Sequence, residues 1–232
     1  MAAQSSYHLT RALKTPELAI MPAPLAFRIS LVSALIGSWV AALPGQVELR
    51  GRILDQKDDA PLAARLYLRD AEGTWHHARS AGDDGEAVPY EIRRGLSAEV
   101  HTSLSAHPFV ADLPPGRYTL VAERGKEYFP AVQDIETAAG DGAPRELVLR
   151  LRRWTNMAER GWYSGETHVH RRVAELPTLL LAEDLNVALP LTAWVTDSRE
   201  APSGANKNPE PVPAAELIEV DGTHVIWPIN TE

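Results

Sequence analysis

The chain has 232 residues, of which 23 are basic and 31 acidic, for a formal net charge of -8. A negative chain without a basic stripe lacks the cations that neutralise a phosphate backbone, which excludes nucleic acid as an expected partner. It contains no cysteine, so disulfides, thiolate nucleophiles and cysteine-based zinc sites are excluded, and any metal must be held by histidine and carboxylate.

In chain order, the first segment reads as a targeting region, residues 1–45. The run ISLVSALIGSWVAAL, Ile29 to Leu43, is uncharged, follows Arg28, and sets Val40 and Ala42 like the -3 and -1 positions of a cleavage site. It is shorter than the roughly 20 residues that span a bilayer as a helix, so no stable membrane span is expected. The protein is therefore expected to be exported, to a periplasm or outside the cell; a buried helix is the alternative for the same run. A start at Met21 gives MPAPLAFR directly before the apolar run and is the expected start.

Residues 46–154 alternate short β-patterned segments with turn signals, which predicts an all-β sandwich of roughly seven strands. VELRGRIL puts Val47, Leu49 and Ile53 on one face, with Gly51 perturbing the period as a bulge would. Leu66 and Leu68, then Tyr118, Leu120 and Ala122, then Leu147, Leu149 and Leu151 repeat the pattern. DAEG, DDGE, DLPPG and AAGDG supply the turns between them. His76 and His77 are adjacent and would face opposite sides of a strand, and His101 and His107 are isolated, so all four read as surface or packing residues. Asp83, Asp84 and Glu86 read as a solvated turn, since they lack the ligand periodicity of a calcium loop. The runs GRILDQKDDAPLAARLYLRDAEG and DLPPGRYTLVAERGKEYFP resemble the prealbumin-like sandwiches related to carboxypeptidase regulatory domains. That resemblance implies a module that positions or stabilises a neighbouring catalytic domain.

Residues 155–232 change pattern. ETHVH predicts a strand, ELPTLLLAEDLN a helix and VALPLTAWVT a second buried strand, the order of a parallel α/β unit. AAELIEV predicts a short helix or strand, and THVIWPINTE a further strand that ends on Glu232. His168 and His170 stand two positions apart, so on a strand their rings share a face and can grip one metal ion. They fall at the end of a strand thought to be buried, where ligands of α/β folds gather. The carboxylate of Glu232 is the expected hard partner for a His-held divalent ion, zinc, iron or manganese.

GWYSGETHVHR resembles the opening motif of the polymerase and histidinol phosphatase (PHP) superfamily, in particular the CehA/McbA-like metallohydrolases. The resemblance implies that His168 and His170 are the first two metal ligands and that Glu232 matches a bridging glutamate. It implies a multi-domain chain: an all-β sandwich followed by the first part of an α/β domain, a PHP-type distorted barrel. The implied activity is metal-dependent hydrolysis of a phosphoester, carbamate or amide bond in a small-molecule substrate, the ion activating water and polarising a phosphoryl or carbonyl oxygen.

Imidazole binds metal only when neutral, so acid would release the ion. No residue stands out as the catalytic general acid, and Arg171 is either a group that steadies a developing anion or a solvent-facing arginine. Two departures qualify the resemblance. The region LTAWVTDS carries Trp194 and Asp197 where the superfamily has Thr-Asp-His, and the stretch from Trp162 to Glu232 is shorter than such a barrel. The expectation is a catalytic domain whose remaining C-terminal part is a partner, with an unpaired sheet edge. Glu175, Glu183 and Asp184 read as helix-surface groups. The rival from another class is a secreted, non-catalytic β-sandwich binding or scaffold protein with a degenerate PHP-like remnant.

Overall fold

The computed structural model describes residues 45–138, 145–195, 199, 203–204, 208, 214 and 216–231; the Ile29 to Leu43 run, Met21, Asp197 and Glu232 lie outside the described residues. The alternating segments do form strands. In order they are β1 (Val47–Asp55), β2 (Ala64–Asp70), β3 (Trp75–His76), β4 (Arg79–Ser80), β5 (Ala87–Arg94) and β6 (Ser97–Leu104). There follow β7 (Phe109–Leu113), β8 (Gly116–Glu123), β9 (Tyr128–Phe129), β10 (Ala131–Thr137) and β11 (Arg145–Arg153). Several of these are two-residue pieces, so this part holds eleven strands among the described residues rather than about seven.

They build two sheets, ordered β4-β7-β1-β11-β9 and β10-β8-β2-β6-β5, with β3 added on β2. The inner faces meet over Leu49, Ile53, Leu66, Leu68, Leu104 and Phe109, all buried. Each such side chain contributes about 1.5–3 kcal/mol by leaving water. The arrangement is a β-sandwich, and its alternating burial is what period-2 patterning demands.

Gly51 is not a bulge. The ladder to β11 runs unbroken through it, pairing Gly51 with Leu147, and the ladder to β7 ends in register on the Gly51–Phe109 pair. A Cβ there would lie 2.3 Å from Phe109 Cζ, so the missing side chain is the space the ring occupies. The Pro114-Pro115 turn is closed by the Tyr118 hydroxyl, which donates to the Pro114 carbonyl at 2.6 Å.

After the sandwich come β12 (Gly165–Val169), α1 (Leu176–Glu183), β13 (Val187–Pro190), β14 (Ala193–Trp194), β15 (Ser203–Gly204), β16 (Ile218–Glu219) and β17 (Val225–Ile226). Leucine and alanine favour the helix, and Pro177 in its first turn lacks only a donor that would have no partner there. β12, β13 and β17 are parallel neighbours, and β16 closes the far edge antiparallel. The unit is a βαβ crossover. Among the described residues the sheet is open, with four strands, and no PHP-type barrel is formed. β12 is its edge and is largely exposed, which corrects the expectation of a buried strand.

α1 has no wet face. Leu176 and Leu180 pack on Ala188 and Ile226 of the parallel sheet. The Thr178 hydroxyl donates to Glu86 and Glu183 pairs with Arg65 at 3.2 Å, both partners lying on the sandwich side. Thus the part of the six-stranded sheet's outer face formed by β2, β6 and β5, normally wet in a sandwich, is covered by the helix, and the described residues form one compact unit. The joint is completed where Gly125, at φ +48°, approaches the end of α1; a Cβ there would meet the Glu183 carbonyl oxygen at 2.5 Å.

Candidate functional site

The chain leaves β12 at Val169, and the ladder to β13 is irregular between Glu166 and Val169. A bulge re-aims the side chains beyond it. Val169 turns in to pack with the core of the parallel sheet, while His168 and His170 are exposed. Their Nε2 atoms stand 3.1 Å apart, with ring centroids 4.9 Å apart and the planes at 66°. Two nitrogens at 2.0–2.1 Å from one tetrahedral ion are separated by about 3.3 Å, so the pair already has the spacing of two ligands. The same approach lets one neutral imidazole donate to the other.

Neighbouring groups hold this geometry. The Glu166 carboxylate accepts from the His168 backbone N–H at 2.9 Å. Asn230 donates to the carbonyls of Thr167 at 2.8 Å and Leu189 at 3.0 Å, tying the last described segment to the C-terminal ends of β12 and β13. The Asn230 carbonyl accepts from the backbone of Thr192 and Ala193, and Thr231 bridges in parallel to Ala193. Asn208 donates to the carbonyls of Arg171 and Leu191 and accepts from the Val173 backbone. Both asparagines went unnoticed in the sequence, where an isolated amide in a loop carries no signal.

The structure thus brings His168 and His170 together. Among the described residues no group of three or more histidines and carboxylates stands ready for a metal. Glu232 and Asp197 lie outside the described residues; the chain position two before Glu232 is fixed beside the carbonyl of Thr167. Arg171 does not face open solvent: its guanidinium lies 4.9 Å from the Tyr90 ring and 3.8 Å from Glu175.

A second cluster, polar and buried, lies at the joint between sandwich and helix. Asp184, which caps α1 at φ 52°, pairs with Arg124 at 2.9 Å and with Arg153. His224, 5% exposed, is bonded through Nδ1 to Asp221 at 2.8 Å and turns Nε2 toward Asp184 at 3.9 Å. Burial would lift the Asp221 carboxyl, but donors from Thr223 and His224 outweigh it and hold it below the usual carboxylate range. Asp184 is therefore a buried tie rather than a helix-surface group. Glu183 is half-covered, and burial raises its pKa despite Arg65. Of the sandwich histidines, His101 packs against Tyr90 with ring centroids 5.0 Å apart.

No known protein family and no curated protein matches the chain. Among solved structures it is similar over 48% of its length to the pilus 2b backbone protein of group B streptococcus, at 16% identity and a TM-score of 0.32. The chain spans less than half of that protein, 43% of it. It is also similar, over 47% of its length and 98% of the other chain, to the C-terminal domain of the shaft pilin SpaA from Lactobacillus rhamnosus GG, at 12% identity and a TM-score of 0.29. Overlaps this partial leave the function to be argued from the site. Among the described residues, no helix is long and apolar enough to cross a membrane.

Proposed function

We propose that the chain carries the first part of a metal-dependent hydrolase centre, with His168 and His170 as two ligands of one divalent ion and Glu232 as the third. The observation that carries the reading is the 3.1 Å convergence of the two Nε2 atoms at the C-terminal ends of parallel strands. The PHP-like motif around them supports it. Zinc, iron or manganese suits imidazole and carboxylate donors. Bound there, the ion would supply Lewis acidity for cleaving a phosphoester, carbamate or amide bond.

The chain's own groups set up the remainder. Glu166 and Asn230 fix the Thr167–His168 peptide and Asn208 holds the Arg171 carbonyl after the pair, so the rings need little reorganisation to take up an ion. Arg171, held over Tyr90 next to His170, supplies positive charge at the mouth for an anionic leaving group. Export is proposed from the apolar run after Arg28.

The test is metal content by elemental analysis after dialysis, beside hydrolysis of p-nitrophenyl phosphate and p-nitrophenyl carbamate with added zinc or manganese. The reading expects near-stoichiometric metal in the native chain and its loss in the His168→Ala, His170→Ala variant. Equal metal content in the two would leave the non-catalytic scaffold as the better account.

A further inference from the structure

Between the outer face of the six-stranded sheet and α1 lies a cavity of about 260 Å³. One wall is apolar: Leu176, Leu179 and Leu180 from the helix, with Val169 and Ala188 from the parallel sheet. The opposite wall is β6, whose odd residues His101 and Ser103 point outward from the sandwich while Thr102 and Leu104 point in. His101 is 5% and Ser103 1% exposed, yet neither His101 Nδ1, which has only the Glu99 carboxylate at 3.5 Å, nor Ser103 Oγ makes a hydrogen bond among the described residues. A buried polar atom left in that state costs about 1–3 kcal/mol. Two on one strand, i and i+2, facing one apolar space, form a wall built to be completed by something else.

The charges select the kind of occupant. Arg65 also borders the cavity, but Glu183 at 3.2 Å, Glu123 at 3.3 Å and Glu99 at 3.6 Å surround its guanidinium. The charge of Arg65 is therefore already met by carboxylates, and Arg171, at the mouth, is turned to Tyr90 and Glu175 rather than to His101 and Ser103. Burial, followed by the nearby Arg65 and Arg171, drives the His101 pKa down to about 4, so its ring is neutral and presents one donor and one acceptor. We propose that this cavity is a binding site for an uncharged, mainly apolar small molecule carrying one hydroxyl, carbonyl or amide group. The polar group meets His101 and Ser103, and the apolar body lies on the leucines of α1. Glu166 and Arg171 also border the space.

The test uses the full chain, freed of metal with a chelator so that it does not depend on the hydrolase reading. Benzyl alcohol is titrated while the imidazole ring signals of His101 are followed by NMR, with benzoate and benzylamine as charged controls. A saturable shift of the His101 signals is expected, with at least tenfold weaker binding for either charged control. Ser103→Ala is expected to weaken benzyl alcohol at least tenfold, and Leu179→Trp, which fills the space from the helix side, to abolish the shift. The proposal is overturned if benzyl alcohol gives no saturable shift, if the charged probes bind as well, or if Ser103→Ala binds like the native chain. Should Leu179→Trp fail to fold, the native titration and Ser103→Ala, which removes one oxygen only, still decide.

Discussion

Asp184→Ala should loosen the helix from the sandwich, and the structure sets the size of the effect. The carboxylate is 7% exposed and its partner Arg124 8%, so the pair is desolvated on both sides. Removing one member of a buried pair costs about 3–5 kcal/mol, because the other charge stays buried without compensation. Arg153 is 28% exposed and remains in reach of water, so its share is small. Arg124 retains the Ala63 carbonyl at 2.8 Å, which places the loss at the lower end, about 3 kcal/mol. The left-handed backbone at φ 52° adds about 1 kcal/mol for alanine, which Asp184→Gly avoids. Glycine should therefore be the milder substitution, and the difference isolates backbone strain from charge. Urea unfolding followed by circular dichroism reads the total. Protease nicking near Trp162 should increase if the α/β part detaches first. A loss below about 1 kcal/mol in both variants would refute the joint as described.

Gly51→Ala should cost about 1–3 kcal/mol in the same assay, because its Cβ would press on Phe109, which is fully buried and cannot turn away; a bulge at this point would predict little change. His101 gives a pH signature: with its folded pKa near 4 against 6.5 unfolded, only the unfolded chain takes up the proton between those values. The contribution of His101 to stability should be constant above pH 6.5 and fall by about 3 kcal/mol toward pH 4, so His101→Phe should make the pH dependence over that range shallower than in the native chain. Identical slopes in chemical denaturation would show that the ring is not held neutral by burial. Asn230→Ala, which frees the ends of β12 and β13, should weaken zinc affinity about tenfold in competition with a chelating dye while circular dichroism stays native; unchanged affinity would mean the asparagine does not position the histidines.

The sandwich was legible because its strands obey one rule. Leu147, Leu149 and Leu151 recur every second residue and all face the core. Two-residue strands such as Trp75–His76 are too short to show any period, which is why their number was missed. The α/β part was readable as strand, helix, strand, but not its burial. α1 is mostly apolar around its circumference because two layers cover it, and the sequence does not say that the second layer is the sandwich, where Thr178 and Glu183 find their partners. Asp184 looked like a surface acid for the same reason: its partners Arg124 and Arg153 lie 60 and 31 positions away in the chain. The histidine pair was visible from its i, i+2 spacing, whereas the register shift between Glu166 and Val169 and the asparagine ties depend on contacts no local pattern encodes.

The central claim is that His168 and His170 hold one ion between them. A crystal of the native chain grown with zinc, measured on both sides of the zinc absorption edge, tests it most directly. The account predicts a single anomalous peak about 2.1 Å from both Nε2 atoms. A map with no peak there, or with zinc bound elsewhere and the two rings still hydrogen-bonded to each other, would contradict it.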